Sequence, residues 1–184
     1  MASMMPICRQ KPNASGICLV EFLLRDGLLH GAGLTVRAVH GRGGIRADKR
    51  EGDGATPVGT LRLVRVLYRA DRLAPPRCAV PVAPLAPEDG WCDDPLDAAY
   101  NRPVRLPYAA SHEALWRDDG VYDIIGVLDW NLDPILPGRG SAIFFHITTP
   151  DQAPTAGCVA LTLADMQTLL AAGLSAIIVP PPGC

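Results

Sequence analysis

The strongest constraint on this chain comes from its turn residues. Glycine and proline each occur 18 times in 184 residues, together about a fifth of the chain against roughly 12% in ordinary domains. Neither sits well inside a long helix, because proline removes an amide donor and glycine gives up the most backbone entropy on ordering. The glycines keep no three-residue period, which excludes a collagen-like fibre, and apolar runs recur along most of the length, which excludes disorder. What remains is a mainly β, β-rich α+β domain of short elements joined by tight turns, and not a helix bundle. With 48% apolar and 20% charged residues, the chain can bury one core of ordinary size. We read residues 1–15 as a flexible tail and 16–184 as a single domain.

Charge and motif spacing exclude several functions. The net charge is −2, and the basic residues are scattered, with no cluster longer than Lys49-Arg50. Nucleic acid is therefore not an expected partner, since a phosphate-tracking stripe is missing. No apolar run reaches the roughly 18 residues of a membrane span. The opening residues also lack the basic and then apolar regions of a secretory signal. The cysteines at 8, 18, 78, 92, 158 and 184 form no CxxC, and the histidines at 30, 40, 112 and 146 form no HExxH. No metal and no cofactor is expected. Six cysteines permit disulfides, but their spacing does not determine a pairing.

Short apolar runs bounded by Gly and charged turns predict strands over 17–24 and 34–39. Residues 49–60, KREGDGATPVGT, predict a tightly shaped loop. The alternation in TLRLVRVLYR predicts a half-buried strand over 60–69. Five prolines make 74–90 a surface connection, and 91–123 reads as mostly irregular, rich in aromatics and charges, as binding loops often are. Buried strands are expected within 121–131 and 141–147. Near the end, Thr162 can cap a helix carrying Met166, Leu169 and Leu170 on one face, Gly173 stops it, and 174–179 forms a last strand.

The sharpest chemical pattern is FFHITT followed by DQAPTAGC. His146 and Cys158 are far enough apart for a loop to bring the thiol back beside the imidazole. An ordinary thiol, with a pKa near 8.5, is only about 3% ionised at neutral pH. A neighbouring imidazolium is expected to lower that pKa by about 1.5 units and recruit the thiolate. The thiolate attacks a carbonyl and the imidazole delivers a proton to the leaving amine. Gly157, lacking Cβ, lets a substrate carbonyl approach the local backbone N–H groups. A phosphatase-type C-x5-R loop is excluded, because position 164 is Ala.

EGDGATPVGT at 51–60, GSAIFFH at 140–146 and TAGC at 155–158 together resemble the L,D-transpeptidase catalytic domain, or YkuD-type domain, over roughly residues 28–180. The resemblance implies a β-sandwich or barrel-like domain with one helix after the cysteine. It implies Cys158 as nucleophile, His146 as base and the Gly157-Cys158 backbone as part of an oxyanion hole. It further implies action on peptidoglycan stem peptides at the periplasm or cell envelope, by a thioester route to cross-links. Those join the third residues of both stems or start from the first residue of the donor. Ala156 stands where the family motif has histidine, and Val159-Ala160-Leu161 replaces the usual Arg or Asn region. These departures, with WCDDPLDAAYNRPV and SHEALWRDDGVYD, resemble a divergent branch of the family.

For a stem peptide, Tyr100, Asn101, Arg102, His112, Glu113, Trp116, Arg117 and Thr155 are the candidate binding residues. Arg102, Arg117 and Tyr100 suit carboxylates, and Glu113, Asp94 or Asp123 suits an amine. His112 is a candidate to replace the missing motif histidine. A monomer is expected. A carboxypeptidase or amide hydrolase on the same Cys/His pair, and a non-catalytic peptidoglycan-binding domain, stand as alternatives.

Overall fold

The computed structural model describes residues 16–183, so the tail expected over 1–15 lies outside the described residues. The elements are β1 (Val20–Arg25), β2 (Leu28–Gly31), β3 (Leu34–Arg37), β4 (Ile45–Arg46), β5 (Thr56–Pro57), β6 (Gly59–Tyr68), β7 (Val82–Pro84) and β8 (Asp89–Cys92). They continue with β9 (Pro103–Arg105), β10 (His112–Ala114), β11 (Ile124–Leu128), β12 (Phe144–Ile147), β13 (Val159–Leu161), α1 (Leu163–Ala171) and β14 (Leu174–Val179). Turn residues thus divide the described residues into many short strands and one helix, in keeping with the composition.

The main sheet runs β13-β12-β11-β6-β14-β1-β2-β3, with β7 also paired to β6. Its long central strand β6 alternates as expected of a half-buried strand: Leu61 and Leu63 are buried while Arg62 and Val64 are exposed. The two ends of the sheet nearly meet. Val39, just past β3, exchanges two 2.8 Å hydrogen bonds with Ala160 of β13. Pairing the edges makes the sheet nearly closed and barrel-like. The seam of closure falls on the strand that follows Cys158.

β12 and β13 are parallel, with Phe145 opposite Val159 and His146 opposite Ala160. Side chains alternate across a strand, so Phe145, Val159 and Leu161 enter the main core with Met166, Leu169 and Leu170 of α1. Phe144 and Cys158 face the other way, into a second cluster with Trp91, Leu115, Tyr122 and Ile125. Trp91 and Tyr122 both meet the Phe144 ring edge-on, at 5.2 and 6.1 Å. This second cluster forms the floor beneath the site.

The helix follows its sequence signals. Thr162 is the N-cap and accepts from Asp165 N–H at 3.2 Å, and Gly173 follows the C-cap Ala172 at φ +94°. A Cβ on Gly173 would lie 1.9 Å from the Cys18 carbonyl oxygen, so glycine is needed there for space as well as for φ. Several strands escape the sequence patterns: β2, β4, β5, β7, β13 and the small β10-β8-β9 sheet, built largely from the stretch read as mostly irregular. Each of these strands has two to four residues, too few to establish a period. Long-range pairing, and not local propensity, makes them strands.

Candidate active site

A cleft of about 480 Å³ lies where the seam, the 49–56 loop and the small sheet converge. Cys158, His146, His112, Glu113, Arg117 and Thr155 line it. Tyr100, Asn101, Arg102 and Trp116 do not. Asn101 is 1% exposed and is a strut of the fold. Its Oδ1 accepts from Trp91 Nε1 at 2.9 Å and from Ala142 N–H at 3.0 Å, while its Nδ2 donates to the carbonyls of Trp130 and Asn131 at 3.1 and 2.7 Å. Tyr100 is buried and donates its hydroxyl to Glu51, which itself lines the cleft. Trp116 lies under the Arg69 guanidinium at 3.6 Å, and Arg102 is exposed away from the cleft wall.

The turn carrying the thiol is braced from both sides. Thr155 Oγ1 donates to the Cys158 carbonyl at 2.7 Å and accepts from Gly157 N–H at 3.1 Å. From the 49–56 loop, Thr56 Oγ1 donates to the Gly157 carbonyl at 2.8 Å and accepts from Gly41 N–H at 2.9 Å. Gly157 has φ +141°, and a Cβ there would lie 2.9 Å from the Ala55 carbonyl oxygen. Glycine at this position therefore lets the loop pack against the thiol turn, a different reason from the substrate access expected from the sequence. The loop itself is tied by Asp53, which accepts from Lys49 Nζ at 2.6 Å and from the N–H groups of Arg50 and Ala55, both at 2.8 Å. Burial works to raise the Asp53 pKa, but these bonds outweigh it and leave it lowered.

Cys158 is 8% exposed. Its Sγ accepts from Phe144 N–H and donates to the Ala142 carbonyl, both at 3.3 Å. Desolvation, followed by the nearby Glu113 carboxylate, pushes its pKa up to about 12. His146 is buried as well, and desolvation lowers its pKa to about 4. Its Nδ1 lies 2.8 Å from the Ile147 carbonyl. That contact places the ring proton on Nδ1 and leaves Nε2 as the basic nitrogen. Both shifts favour the uncharged thiol and the uncharged imidazole, where the sequence suggested a thiolate–imidazolium pair, and burial is the largest cause of each.

The remaining cleft residues add charge. Tyr122 donates its hydroxyl to Glu113, and its ring meets the His146 ring edge-on at 5.3 Å. Burial raises the Glu113 pKa despite the Tyr122 bond and the Arg117 charge. Arg117 pairs with Asp119 and lies 5.1 Å over the Tyr122 ring. His112 Nδ1 contacts the Ala110 carbonyl at 2.8 Å. Among the described residues, the buried side-chain polar atoms without a partner are Asp93 Oδ1 and Thr148 Oγ1, and both residues line this cleft. Orphaned polar atoms are costly and need a reason; a ligand is a sufficient one. Asp93, Thr148, Glu51 and Ser141 went unassigned in the sequence, since only the fold brings them to one wall. No cluster of His, Cys, Asp or Glu suited to a metal ion occurs among the described residues.

Cys158, immediately before β13, and His146 of β12 lie on one face of the sheet at the wall of a polar cleft, the placement that a cysteine nucleophile and its base need. The chain belongs to the YkuD family, the L,D-transpeptidase catalytic domain, whose family model matches residues 22–174. A comparison with curated proteins finds no match.

Proposed function

We propose that this protein is a peptidoglycan L,D-transpeptidase of the cell envelope, with Cys158 as nucleophile and His146 as base. The observation that carries the reading is the parallel pairing of β12 and β13, which puts both side chains on the same cleft-facing side of the sheet. As the carbonyl of a donor stem peptide arrives, the Cys158 S–H proton moves to His146 Nε2 while sulfur bonds to the carbonyl carbon. The tetrahedral adduct collapses, the C–N bond breaks, and the imidazolium returns its proton to the leaving amine. A thioester on Cys158 remains. Attack by an amine of a second stem gives the cross-link; attack by water gives the trimmed peptide.

The Cys158 N–H is assigned to the oxyanion, since the Gly157 N–H is already taken by Thr155 Oγ1, and Thr155 is assigned to holding the turn in place. Arg117 and Thr148 suit a substrate carboxylate or carbonyl on the cleft wall, and His112 suits its rim. The reading is tested by incubating purified muropeptides with wild type and Cys158→Ala, followed by mass spectrometry. Cross-linked product is expected from wild type alone. Equal product from both would sink the nucleophile assignment.

A further inference from the structure

We propose that Glu113, backed by Asp93, is the acceptor subsite: it receives the incoming amine as an ammonium ion and takes its proton. This rests on the transpeptidase reading above. An amine arriving from water at neutral pH is mostly protonated and has no lone pair for attack. Turning that ammonium into an amide releases two protons, and His146, neutral again once the leaving amine has gone, takes the one that returns to sulfur, so a second acceptor on the wall takes the other.

Three observations place that acceptor. Glu113 sits on β10 directly opposite Trp91 of β8, with Asp93 immediately beyond the end of β8. Both carboxylates line the cleft that holds Cys158 and His146. The Tyr122 hydroxyl occupies Glu113 Oε1, and Oε2 has no hydrogen-bond partner among the described residues. Asp93 Oδ1 is buried and equally without a partner. Two adjacent carboxylates with unused acceptor atoms form a place for a cation with several N–H donors, which an alkylammonium is. The Tyr122 ring contacts His146 while its hydroxyl contacts Glu113, so one side chain spaces the two bases. The raised pKa of Glu113 and its influence on Cys158 agree with this placement.

The protons balance. The ammonium gives one proton to Glu113, and the free amine attacks the thioester carbonyl. The new ammonium on the tetrahedral adduct passes a second proton to His146. The C–S bond breaks and His146 reprotonates the Cys158 sulfur. Glu113 then releases its proton to solvent.

The test measures how the acyl-enzyme partitions between amine and water. Wild type and Glu113→Gln are acylated with a donor stem peptide, then offered either a second stem peptide, whose amine is charged, or hydroxylamine, which is uncharged at neutral pH. Cross-linked, hydroxamate and hydrolysed products are quantified by mass spectrometry. In Glu113→Gln the ratio of cross-linking to hydrolysis is expected to fall on the order of 100-fold, while the ratio for hydroxylamine stays unchanged. Equal losses with both nucleophiles, or no loss with either, would overturn the assignment. Asp93→Asn, which removes no hydrogen bond at Oδ1, is the second variant and should shift the ratio in the same direction by several-fold; no shift there counts against the subsite even if Glu113→Gln fails to fold. A wild-type protein that never forms an adduct at Cys158 would instead defeat the transpeptidase reading, and this inference with it.

Discussion

Thr56 Oγ1 donates a 2.8 Å hydrogen bond to the carbonyl of Gly157, 101 residues further along the chain. The same hydroxyl accepts from Gly41 N–H. One side chain thus joins the seam of the sheet, the EGDGATP loop and the turn that presents the thiol. Thr56→Val keeps the shape but leaves two buried backbone groups unpaired, at a cost of about 2 kcal/mol, or roughly 4–8 °C in Tm. Thr56→Ser should recover most of the loss. Thermal melts of the three proteins, together with Cys158 acylation rates, check this; a Thr56→Val protein as stable and as fast as wild type would contradict the bracing role.

Acylation should show no titration near the ordinary histidine value. In the proposed mechanism the reactive form is an uncharged thiol with an uncharged imidazole, and desolvation lowers the His146 pKa to about 4. The basic form therefore persists as pH falls, and the acylation rate keeps its plateau until pH approaches that value. Single-turnover acylation followed by mass spectrometry across the acid range measures it. A limb centred near 6.5 would show that His146 titrates as an exposed imidazole does.

The same burial couples pH to stability. Between about 6.5, where an unfolded histidine takes up its proton, and about 4, where His146 does so in the fold, the unfolded chain holds more protons. Stability therefore falls as pH falls through this window, and that contribution is intact above it. His146→Gln should flatten the slope of Tm against pH there. An unchanged slope would assign the dependence to other groups.

Asn101 should behave as a structural residue. Asn101→Ala removes four hydrogen bonds around Trp91, Trp130, Asn131 and Ala142, and a loss of about 3 kcal/mol is expected. Chemical denaturation measures it. A variant with unchanged stability and weakened substrate binding would return Asn101 to the substrate-contact role suggested by the sequence.

Much of the site was legible before the fold. Cys158 and His146 stand in contrasting local settings, one after a turn-forming TAG and the other at the end of an apolar run, and these settings alone suggest a loop returning to a strand. The EGDGATP motif was legible as a shaped loop, yet its purpose was not. Nothing local shows that Thr56 and Ala55 press on a turn a hundred residues away. Glu113, Arg117 and Thr155 were chosen for their chemistry and do line the cleft. Tyr100, Asn101, Arg102 and Trp116 were chosen on the same grounds and do not, because polarity at a loop position does not say which way the side chain turns.

The sequence by itself determined the class of fold and the family, and it singled out Cys158 and His146 as the candidate pair. Dense turn residues allow only short elements, two-residue alternation marks β6, the Thr162 cap and the 166-169-170 stripe mark the helix, and the motifs carry the family. The tertiary structure decided what surrounds the pair. The sheet that closes through Val39 and Ala160 buries the thiol and the imidazole, and burial favours the uncharged form of each. Pairing of β8 with β10 brings Asp93 and Glu113 to one wall. Desolvation and long-range strand pairing depend on what lies across the sheet, and neighbours along the chain carry no record of that.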